Sequence, residues 1–191
     1  MTNTIKINDY TDLYGTSNLK TMFGDKASEI GKIPFDIDNP FVDLNSIAKI
    51  LGLTVSETDL SVDGFFKSQG KMIELNKNVS EGRKRFTLAH EMAHSINSAD
   101  KENIQFRKFE NYTPAERRDE QKANQLAAEL LMPNKKLLVY LMKEALNSIG
   151  ANPSGFDNFE RDRALSEVAA KLKVSSQSLK YRLQNLRILG K

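Results

Sequence analysis

The chain's only two histidines stand four residues apart, in the run His90-Glu91-Met92-Ala93-His94. On an α-helix, positions i and i+4 lie on one face, so both imidazoles reach toward a single divalent ion. Glu91 follows the first histidine and can lean over the coordination position that three protein ligands leave open to water. Imidazole and carboxylate donors suit zinc, with manganese as a substitute. A bound zinc ion lowers the pKa of its water toward neutrality and polarises a carbonyl. A carboxylate beside it takes the water's proton and delivers it to the leaving group. This pattern is the equipment of a zinc hydrolase.

A third ligand must come from elsewhere. The chain has no cysteine and both histidines are spent, so the remaining donor is a carboxylate. Thr113-Pro114-Ala115-Glu116 announces a helix, with a capping residue, proline at the first helical position and Glu three residues after the cap. That helix should run to about Leu131 and stop before Met132-Pro133. It carries Glu116, Asp119, Glu120 and Glu129. With Glu120 as the zero of a helical wheel, Asn124 lies at about 40°, Ala127 at about −20°, Leu131 at about 20° and Ala123 at about −60°. Glu120 therefore sits mid-way across the inward apolar arc, whereas Glu129 points about 180° away and Asp119 lies at the edge near −100°. Glu116 is occupied by its capping box. An inward carboxylate is costly without a partner, and a metal is such a partner. Asn124, one turn on, can accept from the other ring nitrogen of a ligand histidine.

The elements that position these residues can be read around them. The histidine helix should start near Ser80 and run to Ile96, with Phe86, Ala89 and Ala93 near the histidine face. Before it, Gly64-Phe65-Phe66 and Lys71-Met72-Ile73-Glu74-Leu75 flank Ser68-Gln69-Gly70 as a hairpin, and Leu53-Thr54-Val55 reads as a short strand. The strand around Ile73 and Leu75 is expected at a sheet edge, open to an extended peptide. Leu44, Ile47, Ala48 and Leu51 have amphipathic helical spacing, ended by Gly52. Another helix is expected from Lys135 to about Ser148, and residues 150–155 read as a linker. Residues 1–38 are polar, broken by Gly15, Gly24, Gly31 and Pro34, and predict a short helix or two. The fold class is α+β, mostly helical, with a small sheet or hairpin before the histidine helix.

Bulk properties set the frame. A chain of 191 residues can bury about 70% of its unfolded surface, enough for one good core. With 39% apolar and 28% charged residues it is globular rather than disordered. It lacks disulfides, a signal peptide and any run of apolar residues long enough for a membrane span, so a cytoplasmic location without membrane contact is expected. The net charge is +3, but residues 161–191 hold eight Lys and Arg against Asp162 and Glu167, an excess of six; the remainder carries −3. Such asymmetry permits contact with nucleic acid or an acidic partner.

Three segments together resemble the ImmA/IrrE family of zincin-type metallo-endopeptidases. They are Val42-Asp43-Leu44 with Ile47-Ala48, then Arg85-Phe86-Thr87-Leu88-Ala89-His90-Glu91-Met92-Ala93-His94, then Glu120 through Asn124 to Leu130-Leu131-Met132-Pro133. The resemblance implies His90, His94 and Glu120 as metal ligands, Glu91 as the catalytic base and Asn124 as the companion of the ligand shell. Where the family often has an aromatic residue this chain has Leu126. It further implies a cytoplasmic protease whose protein substrate is a helix-turn-helix repressor, in a phage, mobile element or stress regulon. Residues 1–40 form a variable N-terminal segment, too short for the DNA-binding domain that several members carry there. The peptidase domain is expected over 41–149, a linker over 150–160 and a further segment over 161–191.

That last segment is similar to a helix-turn-helix. Leu165, Val168, Ala169 and Leu172 line one helix; Ser175 caps the next, whose inward residues are Leu179, Leu183 and Leu186. Gln177, Lys180, Tyr181 and Gln184 would form its exposed face. The turn usually carries glycine, and here that place holds Lys173. We therefore expect the pair to close the fold or dock substrate, with DNA reading as the second alternative. A rival to the whole reading is a non-cleaving antirepressor or antitoxin-like protein, which would have no need of Glu91. For the oxyanion, Tyr112, Tyr140 and arginine are the available side chains.

Overall fold

The computed structural model describes residues 5–97 and 113–190. Helices α1 (Tyr10–Tyr14), α2 (Thr16–Phe23) and α3 (Ala27–Gly31) open the described chain, with a 3-10 turn at Gly24–Lys26. They are followed by α4 (Leu44–Ile50), strands β1 (Thr54–Thr58), β2 (Gly64–Lys67) and β3 (Met72–Asn76), and α5 (Glu81–Asn97). Helices α6 (Pro114–Leu131), α7 (Lys135–Ser148), α8 (Asn158–Leu172) and α9 (Ser176–Asn185) complete it. The architecture is the expected α+β type: a small mixed sheet packed on α5, then helices. No described helix is long and apolar enough to cross a membrane.

Local chemistry explains most element boundaries. The Asp43 carboxylate caps α4 by accepting from the N–H groups of Asn45 and Ser46, and Gly52 ends the turn after it at φ +73°. Thr113 and Glu116 form the reciprocal capping box at the start of α6. Asn134 caps α7 by accepting from Lys136 and Leu137. The hairpin between β2 and β3 forms as expected, turning through Gly70 and Lys71, both at positive φ. The sheet order corrects one expectation. It runs β1-β3-β2, so the strand of Ile73 and Leu75 is central, with β1 parallel on one side and β2 antiparallel on the other. Both Ile73 and Leu75 are buried, as a central strand requires.

The N-terminal helices are integral to this core. Tyr10, Leu13, Tyr14, Leu19, Phe23 and Ile30 belong to the same buried cluster as residues of α5, α6 and α7. The Tyr14 hydroxyl donates to the Leu130 carbonyl at 2.6 Å, and Asn134 Nδ2 donates to the Leu13 carbonyl at 3.0 Å. Burial pushes the Tyr14 hydroxyl well above its ordinary pKa and that of Tyr10 to about 12, so both stay neutral; the Tyr10 hydroxyl accepts from the Asp43 N–H at 2.6 Å. The Tyr14 hydroxyl fixes the far end of α6, where the last carbonyls would otherwise lack partners.

At the other end of the chain, Leu165, Val168, Ala169 and Leu172 of α8 and Leu179 and Leu183 of α9 join the same cluster as Leu137 and Leu141 of α7. Ser175 caps α9 by accepting from the Ser178 N–H at 3.0 Å. Lys173 adopts the left-handed conformation, φ 53° and ψ 47°, in the place where glycine was expected. A non-glycine residue there costs about 1–2 kcal/mol. Its ammonium lies 3.6 Å from the centre of the Phe41 ring, and Arg85 Cζ lies 5.5 Å from the same ring. This cation–π contact offsets part of the strain. It also ties the C-terminal turn to the histidine helix, whose Gly82 lies against Val174 and Ser175.

Since α8 and α9 share the core with α7, Leu172→Ala should destabilise the whole molecule by about 2–5 kcal/mol. In urea unfolding it should lower one midpoint reported alike by helix content and by tyrosine fluorescence. Two separate transitions would show that the C-terminal pair folds apart from the rest.

Candidate metal centre and active site

Helix α5 lies across β2 and β3 with Leu88 and Met92 buried beneath it. Two ion pairs fix its first turn to the strand region: Arg83 with Asp63, and Lys84 with Glu57 at 2.5 Å. This orientation sends the opposite stripe of α5 toward α6, and small residues let the two helices approach. Ala89 and Ala93 of α5, and Ala123 and Ala127 of α6, are all essentially inaccessible. The wheel of α6 is as the sequence predicts: Glu120 rises from the arc of Ala123, Ala127 and Leu131, while Glu129 lies elsewhere, against Gln125 and Arg182.

The two histidines and Glu120 converge. His90 Nε2 and His94 Nε2 are 2.9 Å apart. Glu120 Oε2 lies 3.2 Å from His90 Nε2, and Oε1 lies 3.3 Å from His94 Nε2. The donor atoms of the three side chains all lie within 4.8 Å of one another, and the three form a group able to hold a metal ion. Two imidazoles and a carboxylate are the donor chemistry of a catalytic site for a borderline divalent cation. His90 Nδ1 lies 3.0 Å from Asn124 Oδ1. Placing the Nδ1 proton toward that oxygen leaves the Nε2 lone pair aimed at the cluster. Phe86 stacks on the His90 ring, centroids 6.4 Å apart, and limits its rotation. The residues present fit a divalent ion.

The electrostatics agree. The His90 and His94 hydrogen bonds hold the Glu120 carboxyl at about 2. Burial alone pushes His90 down, but hydrogen bonding to Glu120 and the charge of Glu91 outweigh it, and its pKa stands above the ordinary value. Glu91 is buried beside the pair, 9% exposed, and burial raises its pKa despite the opposing pull of His90 and His94. The backbone amide of Phe66, on β2, adds a weaker pull in the same lowering direction. A raised carboxyl pKa suits a group that must accept and then release a proton near neutral pH.

Sequence reasoning named His90, Glu91, His94, Glu120 and Asn124, and the structure brings all five together. It did not name Phe66, because a main-chain donor leaves no mark on residue type. Phe86 was placed near the histidine face, and the stacking makes that specific. Tyr112 lies outside the described residues. Tyr140 opens onto a separate cleft of about 970 Å³, lined by Lys136 and Lys143 among others, that contains none of the clustered side chains.

Two outcomes are expected in solution. Glu120→Ala should weaken metal binding by at least tenfold in a competition titration, while Glu129→Ala should leave it unchanged; the reverse would show that α6 has been given the wrong register. Metal binding should also displace a proton from His90, because its raised pKa keeps part of the population protonated near neutrality. Calorimetry in buffers of different ionisation enthalpy should show proton release on metal binding at slightly acidic pH, where His90 carries its proton. Absence of any release there would contradict the assignment.

Comparison with known proteins gives the geometry its context. No curated protein matches the chain. Among solved structures, a Mycobacterium tuberculosis transcriptional regulator matches 74% of this chain with a TM-score of 0.47 and 14% identity. The match spans only 39% of that regulator's length. Residues 48–184 match the family described as the IrrE N-terminal-like domain, from α4 through the histidine helix and α6 to the end of α9. With that match over most of its length, the chain belongs to the IrrE N-terminal-like, or ImmA/IrrE, family of metallopeptidases.

Proposed function

We propose that this chain is a zinc-dependent endopeptidase whose substrate is a helix-turn-helix transcriptional repressor. The observation that carries the reading is the convergence of His90, His94 and Glu120 with a buried carboxylate, Glu91, beside them. His90, His94 and Glu120 hold the ion, Asn124 holds the His90 ring, and Glu91 is the general base. The ion, when bound, supplies Lewis-acid polarisation of the scissile carbonyl and a water whose pKa is lowered toward neutrality.

The chain's own residues do the rest. Glu91 takes a proton from the attacking water as its oxygen bonds to the carbonyl carbon. It then returns that proton to the peptide nitrogen as the C–N bond breaks, so the base is regenerated. Burial keeps the carboxylate's pKa raised and so makes it a better base. An extended substrate needs a sheet edge near this base, and β2 supplies one in place of the central β3. It is the sheet's outer strand on the α5 side and contributes Phe66 to Glu91. The family implies protein substrates. The choice of a repressor rests on the motif resemblance. On this reading the protein works in the cytoplasm, where repressors bind DNA.

The test is to incubate the zinc- or manganese-loaded protein with the helix-turn-helix repressor encoded beside it. A single discrete cut is expected. Glu91→Gln should retain the metal and the fold but lose cleavage by about 10²-fold or more, the scale of general-base catalysis. Undiminished turnover by that variant would sink the role of Glu91. Tight repressor binding by the Glu91-intact protein with no cut would favour a non-cleaving antirepressor.

A further inference from the structure

We infer that the groove between α6 and α9 receives the substrate polypeptide on one side of the scissile bond, and that Tyr181 with the amides facing it reads the sequence there. The inference rests on the peptidase reading above and extends it to specificity. The groove has a volume of about 760 Å³, room for several residues of extended chain. It adjoins the metal centre through two residues that touch His90. Asn124 lines it while bonding the His90 ring, and Phe86 lines it while stacking on that ring. A chain leaving the site on this side passes directly into it.

The lining says what the groove takes. Gln121, Asn124, Gln125 and Asn185 face it with Ser178 and Tyr181. Amide side chains both donate and accept, as the peptide group does, so this wall is matched to main chain and to neutral polar side chains. Phe86, Ala128 and Leu186 add apolar surface for the rest. Tyr181 is 57% exposed, with its hydroxyl accepting from Gln177 Nε2 at 3.1 Å. An exposed, pre-oriented tyrosine offers contact area at low entropic cost, which is why such residues dominate interfaces.

The same lining argues against duplex DNA. Binding a polyanion requires cations that are not already neutralised. The charged residues in the groove are Glu129 and Arg182, 3.9 Å apart, and Arg182 Nε is committed to the Met132 carbonyl at 3.0 Å. Of the four residues expected on the outer face of α9, Gln177 and Tyr181 are exposed, whereas Lys180 and Gln184 are half-buried. The face that would have to enter a groove of DNA turns Tyr181 toward α6 instead. α9 has the position of a recognition helix, and its recognition is of peptide.

The experiment uses the full, metal-loaded chain and a degenerate decapeptide library, with cut sites and rates read by mass spectrometry. Tyr181→Ala and Gln125→Ala are compared with the parent and with Phe159→Ala, an exposed aromatic on α8 outside the groove. Tyr181→Ala should raise KM by about tenfold, leave kcat within about twofold, and flatten the residue preference on one side of the cut bond. Gln125→Ala should do the same more weakly, and Phe159→Ala should match the parent. Metal content and Tm should be unchanged throughout, since both groove residues are exposed. Parental KM and preference in both groove variants would overturn the inference while leaving the peptidase reading intact. Absence of any cut by the parent, in the library and in the repressor alike, would overturn the peptidase reading and this inference with it. A salt-sensitive complex with a random-sequence duplex, lost in Tyr181→Ala, would overturn it in favour of DNA.

Discussion

Two imidazole nitrogens 2.9 Å apart, with a carboxylate oxygen within 3.3 Å of each, cannot rest comfortably without a shared positive charge. Bare lone pairs would repel one another. A single proton can be shared, and a divalent ion satisfies every donor at once. The remainder of the molecule can be understood as the apparatus that forces this crowding. One turn of α5 supplies the histidine pair by spacing alone, but Glu120 belongs to another helix. Its position depends on how closely α5 and α6 approach. Alanines at 89, 93, 123 and 127 permit that approach, and larger side chains there would separate the ligands by more than a metal tolerates.

Holding two helices in register requires constraints at their ends. α6 is fixed at its start by the Thr113–Glu116 box and at its finish by the Tyr14 hydroxyl on the Leu130 carbonyl. α5 is anchored to the strand region through Arg83 and Lys84, and to the C-terminal turn through Phe41, shared by Arg85 and Lys173. Neither helices α1 to α3 nor helices α8 and α9 are appendages to the site. They share the core that holds α5 and α6.

The parts legible in the sequence are those whose cause is local. The bounds of α6 and α7 follow from Thr113, Pro114 and Asn134, residues that cap or start a helix by contacts within a turn. Glu120 could be chosen over Glu129 because helical periodicity is itself local. The pairing of β1 with β3 was not legible, because parallel strands are joined by a long connection and leave no turn signal between them. Without that partner, β3 reads as an edge. Lys173 was read as a blemish in the turn for a similar reason. Its left-handed backbone is stabilised by a ring far away in sequence, which residue type at 173 does not reveal. The Phe66 N–H is invisible to any reading of side chains.

The tyrosine clasp on α6 also bears on how the protein comes into being. Tyr14 and Leu130 are separated by 116 residues, and Leu13 and Asn134 by 121. Synthesis proceeds at about 5–20 residues per second, so the earliest helices wait several seconds for the partners that complete their burial. Contacts of such long range also slow the final folding step. During that interval the histidine pair exists, while the helix bearing Glu120 is either unmade or unclasped. The newborn chain therefore carries two of the three donor side chains before the third is in place. Hydrolytic competence arrives late, after α6 is locked, so the nascent protein passes its most exposed moments as an inert polypeptide.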